Sequence, residues 1–154
     1  DAIPGVGRKT AEIILAEVGA TVDAFPTGAH LASWAGLCPG NHESAGKRLS
    51  GRTRKGNKAL RTALVEAGQA ASHTKDTYLR SLYDRIAARR GRKRAVVAVG
   101  HKIVLIMHAL LRTGASYDES GYAALDVPDR ERQAARLQRR LEKLGYHVAL
   151  EPVA

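Results

Sequence analysis

Residues 95–111 read AVVAVGHKIVLIMHALL and form the most apolar stretch of the chain. Apolar side chains fill so many positions that the pattern predicts a long, largely buried helix over residues 94–112, closed by Gly114. The stretch is shorter than the ~20 apolar residues that a membrane-spanning helix needs. It is also interrupted by Gly100, His101, Lys102 and His108. We therefore expect a core helix and no membrane partner.

Shorter helical patterns surround this stretch. We predict helices over residues 8–18, 27–37, 58–71, 74–91 and 129–144, with Asn57 and Thr74 as N-caps and Leu31 and Trp34 facing inward. Residues 116–128 read as a connector, and residues 146–150 alternate apolar and polar side chains as a short strand does. Scarce aromatics and plentiful Ala, Leu and Arg also favour helices. The fold class is therefore mostly α, a compact multi-helix domain.

Residues 39–57, PGNHESAGKRLSGRTRKGN, break the helical pattern and predict a loop or a loose β-hairpin. Ser44 lies in this segment, and no acidic residue occurs from Ala45 to Thr62. The basic residues from this segment into the next helix are Lys47, Arg48, Arg52, Arg54, Lys55, Lys58 and Arg61. A serine among such cations suits attack on a phosphodiester, because guanidinium groups stabilise the developing charge. Composition alone favours an ordinary loop serine.

The overall charge points to a polyanionic partner. Lys and Arg number 25 against 15 Asp and Glu, a formal net charge of +10. Nucleic acid is the usual partner of such a chain, although a solubilising surface or a ribosome-associated protein gives the same balance. A second cluster, RRGRKR at residues 89–94, ends in Arg92, Lys93 and Arg94. We interpret it as a phosphate contact rather than a solvated turn.

The chain begins with Ile3-Pro4-Gly5-Val6-Gly7 followed by a helical pattern, which resembles the second half of a helix-hairpin-helix motif. Gly5 and Gly7 would let the backbone approach a phosphate, and the helix N-terminus would bind it with help from Arg8 and Lys9. An ordinary glycine-rich turn is the alternative. The first helix of such a motif would precede residue 3.

Metal and cofactor sites are not indicated by the sequence. Cys38 is the one cysteine, so an internal disulfide is excluded and a reducing compartment fits. Cys38 and His42 lack partners for a closed zinc site. We predict no metal ligands and no cofactor in this chain.

Four segments together resemble one family. They are Ile-Pro-Gly-Val-Gly at residues 3–7, His-Leu-Ala-Ser-Trp-Ala-Gly-Leu-Cys-Pro-Gly at residues 30–40, Glu-Ser-Ala-Gly-Lys at residues 43–47 and Arg-Lys-Gly-Asn at residues 54–57. Near the end, residues 141–146 add Leu-Glu-Lys-Leu-Gly-Tyr. The chain closely resembles the C-terminal domain of the DEDD-type insertion-sequence transposases, the insertion-sequence one-hundred-and-ten family.

The resemblance implies a serine recombinase domain over residues 1–125, with residues 126–154 packing on it or mediating assembly. It implies that Ser44 is the nucleophile, and that the partners are DNA, a guide (bridge) RNA and further copies of the full-length protein. Family members also carry an N-terminal nuclease-like acidic domain, which binds divalent metal and completes the site from another subunit. We expect this domain to be absent from the chain, the chain to be inactive alone, and the location to be the bacterial cytoplasm.

Two other functions stay open at this point. One is a non-catalytic nucleic-acid-binding module of helix-hairpin-helix type. The other is a regulatory fragment that binds the full-length transposase. Trapping of a covalent link between Ser44 and DNA would separate the recombinase from the first, and co-purification with the full-length protein would support the second.

Overall fold

The computed structural model describes residues 2–40, 42–51, 53, 55–124 and 127–149, with side chains except at 42–43, 47–50, 122–124, 127–133 and 136. The helices are α1 (Arg8–Val18), α2 (Gly28–Trp34), α3 (Lys58–Ala71), α4 (Tyr78–Arg90), α5 (Arg92–Thr113), α6 (Glu119–Ala124) and α7 (Val127–Glu142). Two strands, β1 (His42–Ser44) and β2 (Lys47–Ser50), lie between α2 and α3. The mostly α fold that the sequence predicts is confirmed.

The apolar stretch at residues 95–111 forms the centre of the core. It lies in α5, which packs against α2, α3 and α4. Val99, Ile103 and Val104 of α5 are fully buried, as are Leu60 and Leu64 of α3. Each such side chain stabilises the fold by about 1.5–3 kcal/mol through removal from water. In the described part of the chain, α5 is the one helix long and apolar enough to span a membrane, a property that the buried core helix of a globular domain shares.

Helices α3 and α5 cross at a glycine of each helix, Gly68 and Gly100. A Cβ atom added to Gly68 would lie 2.7 Å from the carbonyl oxygen of Val96. One added to Gly100 would lie 2.8 Å from the carbonyl oxygen of Leu64. The two backbones therefore approach more closely than any pair of side chains would allow.

The helix ends agree with the sequence to within two residues except at α2 and α4. Helix α2 ends at Trp34, three residues before the predicted end at residue 37, because the chain turns at Ala35 and at Gly36, whose φ is 71°. The side chain of Asn57 accepts a hydrogen bond from the backbone N–H of Leu60 and caps α3, as predicted. The cap of α4 is Thr77, which accepts from the N–H of Arg80, so the prediction of Thr74 is wrong. Thr74 ends the preceding turn instead, where its hydroxyl donates to the carbonyl of Ala70. The chain turns again before Thr77, which has the extended backbone that an N-cap needs.

Backbone contacts divide the chain into two compact units, Asp1–Tyr117 and Asp118–Ala154. The second unit contains α6, a short helix within the segment that we predicted as a connector. It also contains α7, after which the backbone N–H of Tyr146 donates to the carbonyl of Leu141 across a turn at Gly145. Residues 146–149 are irregular, so the predicted terminal strand does not form there. Residue 150 lies outside the described residues.

Candidate functional site

The segment around Ser44 is an antiparallel hairpin, one of the two forms that the sequence allows. Ser44 of β1 lies opposite Lys47 of β2, and the two-residue turn between them is Ala45-Gly46. Both turn residues have positive φ, 49° at Ala45 and 74° at Gly46. This is the backbone of a type I′ turn, whose twist matches that of the paired strands. A further bridge between Pro39 and Thr53 closes the base, so residues 39–53 form one arm, the serine arm.

Ser44 lies beside the tip of the serine arm and is exposed. In the described residues, the close packing of β1 and β2 is with each other rather than with a helix. Ala45 is not a glycine, and holding it in the left-handed region costs about 1–2 kcal/mol. The hairpin therefore presents the hydroxyl of Ser44 to the surroundings on a backbone of defined register, where a large substrate can reach it.

The structure describes the side chains of three basic residues in and after this segment, Lys55, Lys58 and Arg61. Lys55 and Lys58 are exposed. Arg61 is half-buried, and its Nη2 donates to the hydroxyl of Thr53 over 2.8 Å, at the base of the serine arm. The side chains of Lys47 and Arg48, and the whole of Arg52 and Arg54, lie outside the described part. Their contact with a phosphate stays a prediction.

Three helices begin with cations where acids are the usual choice. The first turns hold Arg8 and Lys9 in α1, Lys58 and Arg61 in α3, and Arg92, Lys93 and Arg94 in α5, and none of these turns contains an acid. The helix dipole places positive charge at the same end, so each cation there is unfavourable by a few tenths of a kcal/mol or more. A bound phosphate would reverse this, because the helix amides and the side chains would both attract it.

The two glycines predicted to bind phosphate, Gly5 and Gly7, have different surroundings in the opening turn. The N–H of Val6 donates to the carbonyl of Ile3 over 2.9 Å, and Gly5 has a φ of 84°. Gly5 packs against α3, with 2.3 Å between an added Cβ and the carbonyl oxygen of Ala67. Gly7 is exposed at the N-cap of α1, with open space around its Cα. Gly7 is thus the freer of the two for a close approach by a ligand.

The sequence failed to identify a groove beside α2. Trp34, which we predicted to face inward, has 40% of its surface exposed. It lines an open groove of about 510 Å³ together with His30, Ser33, Lys55, Gly56 and Asn57. Residues 30–34 and 55–57 are too far apart in the chain for any local pattern to show their meeting.

Asn57 holds the groove together. Its Nδ2 donates to Glu17 of α1 over 2.6 Å, and its backbone N–H donates to the carbonyl of Trp34 over 3.1 Å. Its Oδ1 caps α3 through the N–H of Leu60 at 2.9 Å. One residue therefore connects α1, the end of α2 and the start of α3 through its side chain and its backbone N–H.

We expect Asn57→Ala to destabilise the fold by about 1–2 kcal/mol, because the cap of α3 and the link to α1 are lost together. Asn57→Ser is the matched control. Its hydroxyl can still cap α3 but is too short to reach Glu17, and it adds no charge beside that carboxylate, so it should retain most of the stability. Thermal unfolding followed by circular dichroism measures both. Equal losses in the two variants would contradict the capping role.

The surroundings of the two histidines of α5 and of the one cysteine suit a structural role. The ring of His108 is buried, and its Nε2 lies 2.8 Å from the carbonyl oxygen of Phe25. Burial, with a smaller contribution from the neighbouring Lys102, lowers the pKa of His101. Burial raises the pKa of the Cys38 thiol, which disfavours the reactive thiolate. Across the described residues, no three His, Cys, Asp or Glu side chains come close enough to hold a metal ion.

Comparison with known proteins gives consistent matches. The family model described as Transposase IS116/IS110/IS902 family matches residues 1–84. The chain is 34% identical over 128 residues to the insertion element IS110 uncharacterized 43.6 kDa protein of Streptomyces coelicolor, covering 81% of this chain and 31% of that protein. It is 38% identical over 119 residues to the transposase for insertion sequence element IS1111A of Coxiella burnetii, covering 75% and 32%. A pilin gene-inverting protein of Moraxella bovis is 29% identical over 120 residues, covering 76% and 37%. The chain spans about a third of the length of these curated relatives.

Proposed function

Because this chain belongs to the IS116/IS110/IS902 transposase family, we propose that it is the part of a DNA recombinase that supplies the serine nucleophile. The observation that carries the proposal is the serine arm. It holds an exposed Ser44 next to a tight turn, and the segment that follows, from Ala45 to Thr62, contains no acid. Glu43 precedes the serine, so a phosphodiester would reach the hydroxyl from the side of the turn and the basic residues that follow it.

The chemistry is a transesterification at phosphorus. The Oγ of Ser44 attacks the phosphorus, a P–Oγ bond forms, and one bridging P–O bond of the DNA backbone breaks. The hydroxyl proton of Ser44 is given up, and the departing deoxyribose oxygen takes a proton, so that atoms and charge balance. The adduct conserves the energy of the phosphodiester, and a second strand end can reverse the step to rejoin the DNA. Cations of the serine arm would stabilise the charge on the non-bridging oxygens.

The other partners belong to the same proposal. An acidic domain that binds divalent metal would complete the site from another subunit, as the family resemblance implies. A guide RNA and a homo-oligomer of the full-length protein would select and align the two DNA sites. The place of action would be the bacterial cytoplasm, where the nucleoid lies.

The test is a covalent adduct. A protein that contains this chain together with its acidic domain is incubated with end-labelled DNA and separated by denaturing electrophoresis. We expect label that migrates with the protein and that protease treatment releases. DNA strand exchange without any such adduct would overturn the assignment of a serine nucleophile.

Nucleic-acid binding by the chain should depend strongly on salt. If about six phosphates are neutralised, log K should fall with log salt at a slope of about −5. Changing Arg52, Arg54 and Lys55 together to Ala should flatten the slope to about −3, since three contacts are lost. Fluorescence anisotropy of labelled DNA across a salt titration measures both slopes.

The matched control removes three exposed cations of the second unit, Arg139, Arg140 and Lys143. We expect that triple variant to keep the original slope. Affinity that does not change with salt, or the same loss of slope in both triple variants, would argue against a phosphate-binding segment around the serine arm.

A non-catalytic nucleic-acid-binding module is the second candidate. The cations at the starts of α1, α3 and α5 favour it independently of Ser44, because phosphate binding there needs no nucleophile. The two candidates differ in the adduct alone, which the module would not form.

A further inference from the structure

The groove beside α2 contains an aromatic ring fixed on one side and open on the other. The rings of Phe25 and Trp34 have centroids 5.3 Å apart at an angle of 52°. Phe25 thus supports the indole of Trp34, whose exposed 40% lines the groove.

The walls of the groove are preformed. Besides the hydrogen bond from Asn57 to the carbonyl of Trp34, a Cβ added to Gly56 would lie 2.3 Å from the backbone nitrogen of Gly36. The segment before α3 therefore passes tightly over the end of α2. At the other end of α2, the hydroxyl of Thr27 lies 2.8 Å from Nδ1 of His30. A ligand would bind without first ordering these walls, which reduces the entropic cost of binding.

The charge of the groove selects the ligand. Lys55 is exposed at the wall, and no Asp or Glu is among the lining residues. The carboxylate of Glu17 lies behind the wall, where it accepts from Nδ2 of Asn57 over 2.6 Å. The polar groups of His30, Ser33 and Asn57 line the same space. A ligand with a flat apolar face, hydrogen-bonding edges and a negative charge fits this combination. An unpaired nucleotide has all three features, and a groove of about 510 Å³ is of the size that holds a small ligand.

We propose that this groove binds one unpaired nucleotide of a single strand, with its base stacked on Trp34 and its phosphate paired with Lys55. The proposal rests on the nucleic-acid binding proposed above and adds a site for a base outside a duplex. Bases inside a duplex stack on each other and cannot present a face to the indole. Single-stranded DNA and single-stranded RNA share the required chemistry, because every base has a flat π face.

Trp34 is the one tryptophan of the chain, so its fluorescence reports on this groove alone. The probes are short oligothymidylate, short oligouridylate and an oligothymidylate–oligoadenylate duplex, with binding followed independently by anisotropy of labelled copies. We expect both single strands to quench Trp34 in a saturable way, whereas the duplex binds without comparable quenching. The relative affinities of the first two probes distinguish DNA from RNA as the natural source.

Three variants test the contacts. Trp34→Ala should weaken single-strand binding by about tenfold or more, which is the usual contribution of one stacked base, and leave duplex affinity unchanged. Trp34→Phe keeps an aromatic face and should lose less. Lys55→Ala should weaken binding of the single strands, whereas Lys75→Ala, which removes an exposed cation outside the groove, should not.

Two outcomes would overturn the inference, and they can be told apart. If anisotropy shows binding of single strands while Trp34 emission stays unchanged and Trp34→Ala and Lys55→Ala bind normally, the groove is not the site although the proposed function stands. If no probe binds in anisotropy at low salt, the proposed nucleic-acid binding fails and the groove assignment fails with it. Circular dichroism of each variant establishes that it is folded before either conclusion is drawn.

Discussion

Ser44→Ala is expected to abolish the covalent protein–DNA adduct, by about three orders of magnitude or more, while leaving fold and DNA affinity intact. The change removes one oxygen from an exposed side chain, so stability should shift by no more than about 0.5 kcal/mol. The turn residues that set the hairpin, Ala45 and Gly46, are untouched. The cations of the serine arm also remain, so the phosphate would still bind but would meet no nucleophile.

The controls are the other serines that a phosphate on this face could meet. Ser50 belongs to the same hairpin but lies opposite His42, at the far end of the ladder from the turn. Ser33 lines the groove beside α2. Ser50→Ala and Ser33→Ala should both keep the adduct. An adduct that persists in Ser44→Ala, or that disappears in Ser50→Ala, would assign the nucleophile elsewhere.

The helices of the first unit could be predicted from sequence because local rules determine them. Apolar residues at helical spacing mark α1 and α3, and the continuous apolar run marks α5. Asn57 and Gly114 lie where a cap is needed, and Gly114 adopts the left-handed conformation that ends α5. The start of α4 was placed three residues early, since Thr74 and Thr77 are both good caps and only the intervening turn decides between them. The short helix α6 has too few residues for a period to be recognised.

The direction in which Trp34 faces could not be predicted, for a physical reason. Its spacing from Leu31 is that of one helix face, and Leu31 is fully buried. Helix α2 ends at Trp34, however, so its last side chain has no following helical turn beside it. What covers that position depends on residues 55–57 and on Phe25, and these contacts arise from tertiary structure rather than from the local pattern.

The sequence predicted that residues 39–57 leave the helical pattern as a loop or a loose hairpin, and it did not decide between the two. Four glycines and the missing apolar period indicate a break in the helices, and Ala45-Gly46 is not the turn pair that a type I′ hairpin usually shows. Asn-Gly and Asp-Gly are the common choices, because Asn and Asp tolerate positive φ better than Ala. The family resemblance identified Ser44 as the candidate, and the structure adds that its backbone lies in register beside a tight turn.

Gly5→Ala is expected to destabilise the first unit by about 2–5 kcal/mol, for two reasons that add. The φ of 84° costs an alanine about 1–2 kcal/mol. The new Cβ would also lie 2.3 Å from the carbonyl oxygen of Ala67 and 2.6 Å from the backbone nitrogen of Ala71. Both contacts are backbone atoms of α3, which cannot rotate away, and such overpacking typically costs a further 1–3 kcal/mol or so. For a chain of this size the midpoint of thermal unfolding should fall by about 10 °C.

Two glycine variants separate these causes from each other and from a role in binding. Gly114→Ala has a φ of 69° in open space, so it should show the conformational cost alone, about 1–2 kcal/mol. Gly7→Ala has neither penalty, because its φ is −84° and no atom lies within 4 Å of an added Cβ. It should change stability by less than about 1 kcal/mol, yet weaken DNA binding if a phosphate approaches the start of α1 at this residue. If Gly5→Ala unfolds at the same midpoint temperature as Gly114→Ala, the opening turn does not pack on α3. A Gly7→Ala variant with full affinity would remove the start of α1 from the phosphate-binding surface and leave Gly5 with a purely structural reason to be glycine.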